Sequence, residues 1–151
     1  MTYEELLTEA NDNNLTTKEL PLPVSKGRIK GNFIAIRSGM TEAEKTCVLA
    51  EELGHYHTTV GNILDQGIAE NRKQEHRARV WAYRRAFDLS DLISAYKYGC
   101  KNRFEIAEYL NVTESFLIDA IEQYKAQYGL CTKVDKYLIY FEPLGVLELN
   151  V

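Results

Sequence analysis

Residues 41–58 read TEAEKTCVLAEELGHYHT, and the reading of the chain turns on this stretch. Thr41 opens it as a helix N-cap, with Glu44 three positions on to complete a capping box. Inside it, Glu51-Glu52-Leu53-Gly54-His55 sets Glu51 and His55 four residues apart, one above the other on a helix face, with Glu52 beside them. HExxH zinc peptidases use this geometry: two ligands at i and i+4, and the intervening Glu as general base toward the attacking water. Here Glu51 stands where the first histidine would be. A carboxylate is a legitimate zinc ligand, and it makes a site more hospitable to manganese or iron. Taken alone, these five residues fit a solvated helix face with one histidine better than a metal site.

On the N-terminal side, Tyr3, Leu6, Leu7 and Ala10 have helical spacing and run into an asparagine-rich break at residues 11–14. Leu20-Pro21-Leu22-Pro23 must be extended. Residues 26–40, KGRIKGNFIAIRSGM, are strand material: β-rich runs at 28–30 and 33–37, punctuated by Gly27, Gly31 and Gly39. On the C-terminal side, Gly61 is expected to end the Glu51–His55 helix. Further helices are expected over about 69–87, 90–98, from Asn102 (NRFE, a second capping box), and from Thr113 to about Tyr128. Residues 136–151 alternate as a closing strand or hairpin. The order predicts an α+β fold with N-terminal strands, a helical majority and a C-terminal strand or hairpin. At 151 residues it reads as a single domain over 1–151.

Charge and cysteine usage narrow the partners. Lys and Arg number 18 against 22 Asp and Glu, a net charge of -4, which argues against non-specific binding to nucleic acid or membrane surfaces. Cys47, Cys100 and Cys131 form no CxxC and are odd in number, which excludes a zinc ribbon or a disulfide framework and favours a reducing compartment. The acidic, amphipathic N-terminus is not that of a signal peptide, and no apolar run approaches the ~20 residues of a membrane span. A cytoplasmic location is expected.

A metal held by Glu51 and His55 needs a third ligand, and Glu75 is available on the next helix. Its helix face carries Ala78, Arg79, Ala82 and Ala86, small enough for close packing against a partner helix. The alternative is an ordinary packing face with Glu75 paired to Arg79. His57 lies about 200° around the helix from His55, and His76 about 100° from Glu75, so both are expected to point elsewhere. Cys47 is expected to be a buried apolar thiol.

LAEELGHYHTT together with EHRARVWA (Glu75, Ala78, Trp81, Ala82) resembles the ImmA/IrrE family of metallopeptidases, closest to small forms carried by phages and mobile elements of Gram-positive bacteria. The resemblance runs from the strand before Thr41 to the helices ending near Tyr128. It implies a zincin-like domain in which one divalent metal, zinc or else manganese or iron, is held by His55 and Glu75, with Glu51 in the first ligand position and Glu52 as catalytic base. It also implies a metal-dependent endopeptidase with a narrow protein substrate, typically a helix-turn-helix repressor of a prophage or mobile element. The extended GNFIAIR run, residues 31–37, would then align the substrate by edge pairing. This chain departs from the family in having Glu51 for histidine, Arg79 where Asn or Asp is usual, and no Leu-Leu-Met-Pro ending to the Glu75 helix.

Two other readings compete. The Glu51 substitution would suit an inactive docking module that binds a regulator without cutting it. Residues 102–123, within a helix-turn-helix-like segment at about 102–127, have the apolar spacing of that motif at Ala107, Leu110, Val112 and Leu117. The exposed side of its second helix would present Glu114, Ser115, Asp119 and Glu122, which repel phosphate and offer no Arg or Lys to read guanine. A DNA-binding regulator is therefore the weakest reading, and packing or protein docking fits the segment better. The basic run of Arg72, Lys73, Arg77, Arg79, Arg84 and Arg85 is taken as a solvated helix face.

Overall fold

A computed structural model describes residues 1–59 and 68–150, which fall into two compact units, Met1–Arg85 and Ala86–Val151. Gly61, the expected end of the Glu51–His55 helix, lies outside the described residues. The mixed α+β class and the C-terminal strands expected from the sequence are present.

In the first unit, Thr2 caps helix α1 (Tyr3–Asp12) with both halves of a capping box, and Leu6 and Ala10 on its inner face are fully buried. Three strands follow: β1 (Thr16–Leu20), β2 (Gly27–Lys30) and β3 (Phe33–Arg37). The sheet order is β1-β3-β2, with β1 parallel and β2 antiparallel to the central β3. Strand β1 went unrecognised in the sequence because its side chains are almost all exposed, so it lacks hydrophobic alternation; its place is set by backbone pairing to β3. Helix α2 (Glu42–Thr58) begins where Thr41 accepts the Glu44 N–H at 3.2 Å. It lies on β2 and β3, and Leu49 and Leu53 share a fully buried core with Ile34 and Ile36. Helix α3 spans Ile68–Ala86.

The second unit holds helices α4 (Leu89–Tyr98), α5 (Arg103–Leu110) and α6 (Glu114–Tyr128), then β4 (Cys131–Val134), β5 (Tyr137–Phe141) and β6 (Leu144–Glu148). The strands form an antiparallel sheet in the order β4-β5-β6. The expected tail hairpin is β5–β6, and β4 extends it by a strand. Ala107, Leu110, Val112 and Leu117 are buried between α5 and α6, while Glu114, Ser115, Asp119 and Glu122 face solvent. The acidic outer face read from the sequence is thus real, and it would repel a phosphate backbone. Among the described residues no helix is long and apolar enough to cross a membrane.

Candidate active site

Every residue singled out as a site candidate belongs to the first unit. One face of α2 carries Glu51, Glu52, His55 and Tyr56 into the wall of a cavity of about 640 Å³, and Glu75 from α3 lines the same cavity. Gly27, Arg28 and Ile29 of β2 form another wall, with Gly31 beyond them.

Small residues bring these elements together. A Cβ added at Gly54 would fall well inside contact with the Ala78 carbonyl oxygen and 3.0 Å from the Ala78 carbonyl carbon, so α2 and α3 touch backbone to backbone there. Ala78 and Ala82 are fully buried, and Ala86 nearly so. This is the alanine face expected from the sequence, and it brings His55 Nε2 to 3.4 Å from Glu75 Oε2. Glu75 thus pairs with the histidine of the preceding helix, in place of the alternative partner Arg79 on its own helix. Glycine acts again at Gly27, where a Cβ would clash with Val48 and come within 3.0 Å of Glu52 Oε1. Its absence lets β2 run directly past the Glu52 carboxylate.

The structure pairs His55 with Glu75 and sets Glu51 and Glu52 in the same wall. Among the described residues no three His, Cys, Asp or Glu side chains are gathered as a bound cation would gather them. The electrostatics nonetheless bear on a cation. Burial, and then the charges of Glu51 and Glu75, push the Glu52 carboxyl up to about 7 from an ordinary 4.5. Glu51 and Glu75 thus disfavour the charged form of Glu52, and a cation among the three carboxylates would relieve that repulsion. One nitrogen and several hard oxygens form a donor set suited to zinc, manganese or iron. The residues present therefore fit a divalent metal.

The remaining candidates fall where geometry sends them. His57 leaves the cavity to stack on Trp81 (4.8 Å between centroids, 22° between planes), with Nε2 3.8 Å from Glu9. Arg85 reaches the same carboxylate at 2.9 Å, tying α1, α2 and α3 together. His76 is exposed, and Cys47 is buried as expected.

One expectation is corrected. Residues 31–37 were to offer an edge for substrate, yet Phe33–Arg37 is the central strand, paired on both sides. The edge strand along the cavity is β2. The physical reason is burial: the more apolar run belongs in the middle of the sheet, whereas an edge strand is short and carries glycine and charge, as GRIK does. The charge pattern of β2 could have signalled this.

Tyr56, which the sequence did not single out from the chain's ten tyrosines, also lines the cavity. Its position four residues after Glu52, on the same helix face, was the available signal.

Compared with known proteins, residues 2–122 match the model of the Peptidase_M78 family, described as the IrrE N-terminal-like domain. No curated protein and no solved structure matches the chain.

Proposed function

The chain belongs to the IrrE N-terminal-like family, a metallopeptidase-type family, and from that premise we propose that it is a metal-dependent endopeptidase acting on one protein substrate. The observation that carries this reading is the convergence of Glu51, Glu52, His55 and Glu75 on one cavity beside β2, whose outer edge pairs with no strand among the described residues. Glu51, His55 and Glu75 would hold the metal. When bound, it supplies the Lewis acidity that makes a water nucleophilic near neutral pH and polarises the scissile carbonyl. Glu52 takes a proton from that water and passes it to the departing amine. Glu52 is the carboxylate of the cavity that lies against β2 at Gly27, beside the strand edge proposed for the substrate. The outer edge of β2 supplies backbone donors and acceptors for an extended peptide laid beside Glu52.

The proposed metal is zinc, with manganese or iron as alternatives, and the proposed substrate is a helix-turn-helix repressor of a phage or mobile element, both in the cytoplasm. The family resemblance supports the substrate; the acidic α6 surface supports a role that does not engage DNA directly. The test is incubation of zinc-, manganese- and iron-loaded protein with a panel of such repressors, read by intact mass. The expected result is one repressor cut at one bond, its two fragments summing to the parent plus one water, with a chelator stopping the reaction. No fragment from any repressor under all three metals, with one of them bound intact, would replace this reading by that of a docking module.

A further inference from the structure

The second unit contains a cleft that the peptidase reading does not use. It has a volume of about 570 Å³ and lies between the end of α4 and α5, lined by Tyr98, Gly99, Cys100, Glu105, Glu108 and Tyr109. Tyr98 and Tyr109 meet with centroids 5.0 Å apart and planes inclined by 41°. Both rings are nevertheless exposed, Tyr98 by 76%. A ring that buries so little of itself gains little from the fold, and two of them side by side leave aromatic surface open to a ligand. Glu105, Glu108 and Tyr109 occupy neighbouring positions on one face of α5 by their i, i+3, i+4 spacing, so the rings and the carboxylates address the same space.

The carboxylates differ in what they already do. Glu105 accepts the Lys101 N–H at 2.7 Å and is committed to the start of α5. Glu108 is exposed and enters no ion pair among the described residues. Their field reaches the floor of the cleft: the Cys100 thiol is held above its usual range by burial first, then by Glu105 and Glu108. Neither Lys97, whose Nζ lies over the Tyr137 ring at 5.0 Å, nor Lys101 lines the cleft. Gly99, in the left-handed region at φ 108°, carries no Cβ and leaves the mouth open.

A recess with two aromatic faces and an uncommitted carboxylate is complementary to a planar, delocalised cation. Guanidinium fits better than ammonium, since it lies flat on a ring while its edge forks a carboxylate. We propose that this cleft binds an arginine side chain of a protein partner, with one ring of the Tyr98–Tyr109 pair stacking on the guanidinium and Glu108 accepting its hydrogen bonds. The cleft lies wholly within the second unit, so its occupancy stands whether or not the first unit hydrolyses peptides.

The probe is a capped tripeptide, Gly-Arg-Gly, titrated at low salt into the isotope-labelled full-length protein, with its citrulline counterpart as the neutral isostere. The amides of Gly99, Cys100 and Glu108 are expected to shift saturably with the arginine peptide, and about tenfold more weakly with citrulline. Glu108→Gln and Tyr109→Leu should each weaken binding about threefold to tenfold while leaving distant amide shifts in place. Glu108 is on the surface, so its variant keeps the test open if the tyrosine variant unfolds. No saturable shift, equal binding of citrulline, or indifference to Glu108→Gln would overturn the proposal. Binding of free spermidine without any of the peptide would also overturn it, because the occupant would then be a small cation.

Discussion

Replacing Gly54 by alanine is expected to destabilise the protein and to weaken metal binding together. In most helix interiors this change is favourable, by about 0.5–1 kcal/mol, because alanine loses less backbone freedom on folding. Here the added methyl would strike the Ala78 carbonyl group and approach the Ala78 Cα at 3.2 Å. These are backbone atoms of another helix, so no rotamer change can relieve the clash. Overpacking of this kind costs typically about 1–3 kcal/mol and sometimes more, which outweighs the helical gain. For a chain of this size the thermal midpoint should fall by about 3–8 °C. Relief must come from α3 moving away from α2, which carries Glu75 away from His55. Metal affinity should therefore drop more than tenfold even where most of the protein is still folded. A variant as stable as wild type with unchanged affinity would mean that the Gly54–Ala78 contact does not hold the site. Calorimetry and a competitive chelator titration measure the two effects separately.

Glu52→Gln is expected to abolish cleavage while retaining the metal. Glutamine keeps the shape of the side chain against Gly27 but cannot accept the proton, so turnover should fall by about 10²–10⁴-fold. The same variant has a second signature that needs no substrate. In the metal-free protein the Glu52 carboxyl sits near 7 when folded, against an ordinary 4.5, so the fold prefers its neutral form. Its ionisation therefore costs no stability below about pH 4.5, and the cost grows as pH rises toward 7, levelling off above it. Glutamine carries no such cost. The thermal midpoint of metal-free Glu52→Gln, relative to wild type, should thus rise between pH 5 and pH 8. A pH-independent difference would remove the carboxylate cluster as the cause, and unchanged cleavage would remove Glu52 as the base.

The features legible in the sequence were those with a local cause. Thr41, Asn102 and the glycine-punctuated runs fix where elements begin and end, and those boundaries hold to within a residue or two. The Glu51–His55 face and the alanine side of α3 follow from helical spacing, which requires no knowledge of tertiary contacts. The features that were missed depend on what lies across the chain. Strand β1 is a strand only because β3 pairs with it. That β2 and not β3 is the edge follows from the pairing of β3 with β1 on its other side, at which the charge of GRIK only hints. Gly54 was read as part of a motif, yet its meaning lies in the backbone of Ala78, twenty-four positions away in the sequence. The cleft at Tyr98 and Tyr109 was missed for the same reason: the rings belong to different helices and meet only in the folded unit.

The central claim is that Glu51, His55 and Glu75 together hold one divalent cation. It is tested most directly by elemental mass spectrometry of the untagged protein, purified without added metal and again after reconstitution, with Glu75→Ala treated identically. The expected result is about one equivalent of zinc, manganese or iron per chain, lost in the variant. Wild type that holds none of the three after reconstitution, or a variant that keeps its full equivalent, would contradict it.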